Sequence, residues 1–227
     1  MTSLNKLIWD IKLLLRGGAV VSDDDSISDE QVAFWIHAAR AVLIRQQLDK
    51  GQSISTNVVQ GAIIPMEQIN TGYQSSLLTD CWIARSINPI PKPIETKQTD
   101  TIYNISAPAY GVIPYTKLPP AVMPYSKYNP FGKNIPKAYL SNGYLVIENI
   151  DYIENVYIDI IAADPSELAA FNTPTVTCFD PDQAYPISEH MIDPLKRLII
   201  DTNFRYTLKN LNDSTNNASH NLEEPIK

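Results

Sequence analysis

The sequence predicts an α+β fold in which helices from the two ends of the chain form a helical body, with a β-rich middle inserted between them. Apolar residues recur at helical spacing in two segments near the start and in one segment near the end. Between these segments, short runs of β-branched residues alternate with prolines, and no long helical period occurs. We expect residues 1–50 and 164–211 to form the helical body, 51–163 the β-rich middle, and 212–227 an extended C-terminal tail.

The first predicted helix runs from Leu4 to Arg16 and ends at two glycines, Gly17 and Gly18. Its apolar residues form one face, and its charges lie largely off that face at Lys6, Asp10 and Lys12. The segment is too short and too charged to cross a bilayer, and it does not have the pattern of a signal peptide. Because its polar face carries few cations, we interpret it as a core helix rather than a membrane-surface helix.

The second predicted helix, from Ser28 to Asp49, has the clearest helical pattern in the chain. Ser28 is a good N-cap, and Gln31 stands where a capping box needs it. Asp29 and Glu30 lie in the first turn, where the helix dipole favours negative charge. The predicted apolar stripe comprises Val32, Trp35, Ile36, Ala39 and Leu43, widened by Val42 and Ile44.

The middle of the chain has strand patterns. Strands are expected where β-branched residues cluster or apolar and polar residues alternate, at residues 53–64, 81–86, 101–105 and 155–162. A hairpin is expected from Lys137 to Ile147, because Asn142 and Gly143 suit a tight primed turn. Prolines at alternate positions from Asn88 to Glu95 favour a sheet edge or a connection.

Residues 107–136 form a long stretch rich in proline and tyrosine. A loop of this length inside a compact domain is usually functional, and the alternative is a loop wrapped on its own domain. Tyrosine provides a large contact area with a polar tip, which favours an interface. The tyrosines expected to contribute are Tyr110, Tyr115, Tyr125 and Tyr128.

Helical patterns return towards the C-terminus. Asp164 and Pro165 suit the cap and first position of a short helix. Ser188 is a candidate cap for the last helical region, which Pro194 restarts or kinks. From Asn212 onward, asparagine, serine and charged residues dominate, so this tail is expected to be disordered alone or ordered by a partner.

Charge and cysteine content limit the classes of function. The net charge is −7 and the pI is near 4.9, which argues against broad nonspecific binding to nucleic acid. The two cysteines, Cys81 and Cys178, are too few for a disulfide scaffold or a metal quartet and indicate a reducing compartment.

No motif has the specificity of a catalytic, cofactor or metal site. The glycine spacings of phosphate-binding and dinucleotide-binding loops are absent. His37 is interpreted as a helix-surface or packing residue. His190, with Glu189 and Asp193, suggests a metal or proton site, but charge in the cap region of a helix is the favoured interpretation. We expect a protein without enzymatic activity or cofactor, although a site assembled from scattered residues remains the alternative.

Four segments resemble structural proteins of crAss-like short-tailed bacteriophages. They are SDDDSISDEQVAFWIHAARAVLIRQQLDKG, VYIDIIAADPSELAAF, AYPISEHMIDPLKRLIIDTNF and NDSTNNASHN, and they follow the order that the resemblance expects. The resemblance implies a ring or adaptor protein of the head-to-tail connector. Helical elements from both chain ends would form the ring body, with β-structure between them.

The resemblance also implies partners and a location. Copies would form a twelvefold ring beneath the portal protein, dock other tail or ring proteins, and continue the channel through which genomic DNA passes without specific binding. The subunit would be a virion protein assembled in the host cytoplasm, with no membrane partner. Separately from the resemblance, we infer from the acidic net charge that such a channel would not bind the phosphates of the passing DNA strongly.

We expect the contacts with these partners at two arginines of the second helix, the four tyrosines, and the tail. Besides the tyrosines, the residues are Arg40, Arg45, Asn212, Asn216, Asn217, His220 and Glu223. The alternative is a receptor- or glycan-binding tail module, which the tyrosine-rich loops would suit. Receptor-binding modules are usually strand-rich throughout, whereas both ends of this chain are predicted to be helical.

Overall fold

The computed structural model describes residues 2–15, 27–70, 82–97, 100–108, 114–126, 128, 135–150, 152–171 and 179–204. The chain divides into two compact units. The helical unit combines Met1–Gln46 with Pro181–Lys227, and the sheet unit is Gln47–Asp180.

The helices occupy the start, one short loop and the end of the chain. They are α1 (Leu4–Leu15), α2 (Asp29–Asp49), α3 (Met123–Ser126) and α4 (Ile192–Ile199). Short 3₁₀ turns lie at Thr56–Val58, Pro165–Phe171 and Glu189–Met191, and a π-helical turn, Ile200–Phe204, continues α4.

The strands of the described residues lie in the sheet unit. They are β1 (Gln60–Asn70), β2 (Trp82–Ser86), β3 (Ile102–Ser106), β4 (Thr116–Lys117), β5 (Lys137–Ser141), β6 (Tyr144–Glu148) and β7 (Asn155–Ile160). They form one sheet in the order β3-β7-β1-β2-β6-β5-β4. Neighbouring strands are antiparallel except β4 and β5, which are parallel.

Strand β1 is the longest and pairs with a different neighbour along each half. Residues from Gln60 to Pro65 pair with β7, and residues from Met66 to Asn70 pair with β2. Pro65 lies at this change of partner, where its missing N–H is tolerated better than inside a continuous ladder. The Met66 amide donates to the Glu154 carbonyl at 2.8 Å, so pairing resumes immediately after the proline.

The two edges of the sheet come together. The Tyr115 amide, just before β4, donates to the Ile105 carbonyl of β3 at 2.7 Å. The Lys117 ammonium forms an ion pair with the Asp100 carboxylate, just before β3. The seven-stranded sheet is therefore nearly closed on itself.

An apolar cluster of described residues fills the sheet unit. It includes Ile64 of β1, Leu145 and Ile147 of β6 and Ile158 of β7, all fully buried, together with Leu168 of the 3₁₀ turn that follows β7. The predicted fold class, a helical body with a β-rich insertion, is therefore wrong, because the nearly closed sheet has its own core and forms a complete unit. The error has a physical origin, since the pairing of β1 with β7 joins residues nearly a hundred positions apart and leaves no local pattern.

Both chain ends contribute to the helical unit. Four residues of α1 are buried on one face, namely Leu4, Leu7, Ile8 and Ile11. The start of α1 is tied to the segment before α4, because the Tyr185 amide donates to the Thr2 carbonyl at 2.9 Å. The Lys196 ammonium of α4 lies 2.7 Å from the Asp10 carboxylate of α1, so this ion pair joins the two helices.

Several local predictions are confirmed. Helix α2 has the predicted extent, and the Ser28 hydroxyl accepts a hydrogen bond from the Gln31 amide at 3.2 Å. The predicted hairpin joins β5 to β6, and Asn142 and Gly143 have φ values of 52° and 83°, as a primed turn requires. The Asp164 carboxylate accepts from the Ser166 amide at 2.8 Å and so caps the following turn.

Other predictions differ from the structure. Residues 53–64 are only partly a strand, because a 3₁₀ turn occupies Thr56–Val58 before β1 begins. Ser188 precedes its 3₁₀ turn, but its side chain makes no capping hydrogen bond there. Several predictions concern residues outside the described ranges: Gly17, Gly18, Cys81, Cys178 and the tail 212–227.

Candidate interface surfaces

A buried polar cluster joins α2 to the segment before α4. Arg40 is fully buried, and its Nε donates to the Pro186 carbonyl at 2.7 Å. Its guanidinium carbon lies 5.8 Å from the centroid of the Tyr185 ring, a cation–π distance. The His37 Nδ1 and the Tyr185 hydroxyl are 2.7 Å apart. These contacts fix the segment around Tyr185 against α2, because a buried guanidinium must keep its hydrogen bonds.

This cluster is not predicted as a unit from the sequence. Of the two interpretations of His37, a helix-surface or a packing residue, the structure supports packing, because His37 is buried beside Tyr185. Arg40 was expected to contact neighbouring copies of the chain, whereas the structure places it inside the helical unit. The partners are separated by about 146 to 148 positions, and no local spacing indicates such a pairing.

Helix α2 also has an outward face that is largely apolar. Phe34 is 68% exposed and Val42 is 40% exposed, and Ala38 between them is exposed as well. These three residues are four apart, so they form one row along the helix. Arg45, also exposed, continues the row towards the C-terminal end. The prediction that Val42 widens the core stripe is therefore wrong, whereas Ile44 is fully buried as predicted.

Helix α1 has a second outward apolar face. Trp9 is 54% exposed, and Leu13, one turn further along the same row, is half-buried. This row lies opposite the buried face of α1. The Lys12 ammonium, 2.5 Å from the Asp29 carboxylate of α2, and the pair of Asp10 with Lys196 flank it. The charged groups of this part of α1 are thus paired within the unit, and the indole remains accessible.

Three exposed residues in the described part of the proline- and tyrosine-rich stretch form a ridge on the sheet unit. The Tyr125 amide donates to the Val122 carbonyl, and the Tyr128 amide donates to the Tyr125 carbonyl, each at 3.1 Å. Bonds between residues three apart place their side chains on one side of the chain. All three side chains are exposed, while Met123 is buried and anchors the ridge. We call Val122, Tyr125 and Tyr128 the tyrosine ridge.

The remaining predicted interface residues fall into two groups. Tyr115 is partly buried against the core of the sheet unit, and burial raises the pKa of its hydroxyl. The others lie outside the described residues: Tyr110, Asn212, Asn216, Asn217, His220 and Glu223.

The sheet unit contains a buried pair of oppositely charged residues. Lys137 of β5 and Glu148 of β6 face each other in register, and both are buried. Tyr139, on the same face of β5, is hydrogen-bonded to Glu148. Burial, and then the charge and hydrogen bond of Glu148, raise the pKa of Tyr139 to about 12. This arrangement stabilises a protonated phenol, which suits a structural role rather than proton transfer near neutral pH.

The described residues contain no group of three or more His, Cys, Asp or Glu side chains placed to hold a metal ion. The trio suggested around His190 lies at the start of the last helical region, and His190 is exposed there. Within the same described ranges, no helix is long and apolar enough to span a bilayer. The exposed large apolar side chains of the described residues include those of the two outward helix faces and the tyrosine ridge.

Comparison with known proteins supports an assembly role. A family model described as phage tail ring protein 2 matches residues 6–223, which is nearly the whole chain. No curated protein matches the sequence. A tail ring is built from copies of its subunit together with other tail components, so accessible apolar faces are expected on such a subunit. The chain belongs to the phage tail ring protein 2 family of crAss-like phages and is a structural component of the phage tail.

Proposed function

We propose that this protein is a noncatalytic subunit of a ring in the head-to-tail connector, below the portal, where the ring continues the DNA channel. The observation that carries the proposal is the match of a tail ring family to residues 6–223. The outward apolar faces of α1 and α2 support it, because a closed ring needs surfaces that bury against neighbouring copies.

The acidic character of the chain fits a position beside a DNA channel. With a net charge of −7, the subunit is not expected to hold the phosphate backbone by broad electrostatic attraction. DNA would then pass without being retained. In this proposal Arg45 and the tail residues Asn212, Asn216, Asn217, His220 and Glu223 contact neighbouring copies, the portal or other ring proteins, and the assembly takes place in the host cytoplasm.

The test is the mass of the assembled particle. Purified protein, alone and with the portal protein of the same phage, is measured by mass photometry. We expect a single ring species, twelvefold in subunit number, either alone or on the portal. A subunit that stays monomeric in both samples would contradict the proposal. A cryo-electron microscopy map of the virion would then locate the ring relative to the portal.

The tyrosine ridge supports a second candidate function, binding of a surface glycan on the host. Tyr125 and Tyr128 are 71% and 72% exposed, and accessible aromatic rings pack against the apolar faces of sugars. A glycan array probed with the wild-type protein and with Tyr125→Ala tests this function. Binding that is lost in the variant would favour it, and an array without signal would remove it and leave the ridge as a contact for another tail protein.

A further inference from the structure

We propose that neighbouring copies in the ring contact each other through the two outward helix faces, α1 of one copy against α2 of the next. The α1 face consists of Trp9 and Leu13, and the α2 face consists of Phe34, Ala38 and Val42. This inference rests on the proposed ring function and assigns the surfaces that close the ring.

The requirement for two faces comes from ring symmetry. A ring closes through a heterologous contact, in which one patch of each copy meets a different patch of the next copy. A single patch that paired with itself would give a dimer instead. The helical unit has two separate apolar rows on two different helices, as such a contact requires.

The α2 face has the uneven shape expected of a surface that binds a protruding side chain. Ala38, a small residue, lies between the larger Phe34 and Val42, so the row has a hollow at its centre. Each of the three side chains is exposed, although the opposite side of α2 is buried through Val32 and Ile36. Arg45 continues the row, and arginine is enriched where protein surfaces meet.

The α1 face supplies a side chain that fits such a hollow. The Trp9 indole is more than half exposed, and tryptophan is the residue type most enriched among the anchors of protein interfaces. Its neighbours Asp10 and Lys12 are engaged in ion pairs within the helical unit. Packing a second copy over Trp9 therefore does not bury an unpaired charge from these two residues.

The experiment uses two full-length variants, Trp9→Asp and Phe34→Asp, under the conditions in which the wild type forms rings. Each variant has one face blocked and the other intact. Measured separately by native mass spectrometry, both should remain monomers. Mixed in equal amounts, they should form a one-to-one dimer, because the intact α1 face of Phe34→Asp meets the intact α2 face of Trp9→Asp. No larger species should appear, since both outer faces of that dimer are blocked.

Tyr152→Asp is the matched control. Tyr152 is 67% exposed, nearly the same as Phe34, but it belongs to the sheet unit. This variant should form rings like the wild type. Circular dichroism and thermal unfolding establish that each variant is folded. Ala38→Glu, which fills the hollow without removing a large side chain, provides a second block of the α2 face and should likewise give monomers.

The outcomes separate this inference from the ring function itself. A wild type that never forms rings would overturn the ring function and the inference together. Rings formed by Phe34→Asp, Ala38→Glu or Trp9→Asp would overturn the inference and leave the ring function standing. A mixture that stays monomeric would overturn the pairing of α1 with α2.

Discussion

The Tyr157 ring of β7 lies directly over Gly61 of β1. A Cβ atom added to Gly61 would come within 3.0 Å of the ring carbons Cε2 and Cζ and closer still to the hydroxyl oxygen. The Tyr157 hydroxyl is hydrogen-bonded to the Asp159 carboxylate at 2.7 Å, which restrains the ring in this position. The glycine therefore provides the space that the tyrosine occupies on this surface of the sheet.

Gly61→Ala should lower the free energy of unfolding by about 1–3 kcal/mol, the usual cost of inserting a methyl group into an occupied space. The measurement is urea denaturation. Tyr157→Ala removes the ring from the space over Gly61. Adding Gly61→Ala to that variant should therefore lower the free energy of unfolding much less than it does in the wild type. If Gly61→Ala lowered the free energy of unfolding equally in the wild type and in Tyr157→Ala, the Tyr157 ring would have to move aside without a free-energy penalty.

Arg40→Met should destabilise the helical unit by about 1–3 kcal/mol, because the buried Pro186 carbonyl would lose its donor. Arg45→Met, at an exposed position on the same helix, should change stability by no more than about 0.5 kcal/mol. Urea denaturation compares the two variants. Equal stability of Arg40→Met and the wild type would contradict a structural role for the buried guanidinium.

Because Arg40 is buried and Arg45 is exposed, only substitutions of Arg45 can test the role of an arginine in ring formation. A charge reversal at Arg40 should unfold its surroundings, because it would place a carboxylate in a fully buried position. A charge reversal at Arg45 should leave the monomer folded, so its effect on ring formation reports on the interface alone.

Above pH 10 the wild type should lose stability through Tyr139. A phenol in the unfolded chain titrates near pH 10, as a model compound does, whereas the folded pKa is about 12. The folded state therefore binds the phenol proton more tightly than the unfolded state does. The stabilisation of the fold that results is fully present below pH 10 and is lost as the pH rises to 12. The free energy of unfolding, measured from pH 9 to 12, should decline less steeply for Tyr139→Phe than for the wild type. Parallel profiles for the two proteins would exclude the effect.

Asp100→Asn should loosen the junction between the two edges of the sheet. The Asp100 carboxylate is paired with Lys117 and also accepts a hydrogen bond from the Ile102 amide at 3.3 Å. Hydrogen exchange at the Tyr115 amide should accelerate by about fivefold if the partly buried pair contributes about 1 kcal/mol.

Glu67→Gln is the control for the edge variant. It removes the carboxylate that lies 2.8 Å from Arg85, and both side chains of that pair are about 40% exposed. Exchange at Tyr115 should not change in this variant, because Glu67 pairs across β1 and β2, away from the sheet edges. Acceleration of equal size in both variants would mean that general loss of charge, rather than the edge contact, controls the exchange.

Local chemistry made part of this fold predictable. The bounds of α2 follow from Ser28 and the first-turn acids, and the turn of the β5–β6 hairpin follows from Asn142 and Gly143. These signals act over a few residues and can be recognised from spacing alone. Sheet order is different, because β1 reaches past five intervening strands of sequence to pair with β7.

The candidate interface was predictable only in part. The helical periodicity of α2 identified buried Val32 and Ile36, but it also placed Val42 in the core, although that side chain is exposed. An apolar row looks the same in sequence whether it packs within one chain or against another chain. Arg40 is the opposite case, a charged residue that is buried. Its burial depends on Tyr185 and Pro186, which are far away in sequence.

The junction of β3 with the segment before β4 limits how neighbouring subunits of the phage tail ring can contact each other. Because the sheet edges are satisfied by each other at Tyr115 and Lys117, neighbouring subunits are not expected to be joined by a continuous ladder of backbone hydrogen bonds. At this edge of the sheet, contacts between subunits then depend on side chains. Single substitutions of such side chains can therefore change the affinity between subunits without changing the backbone pairing of the monomer.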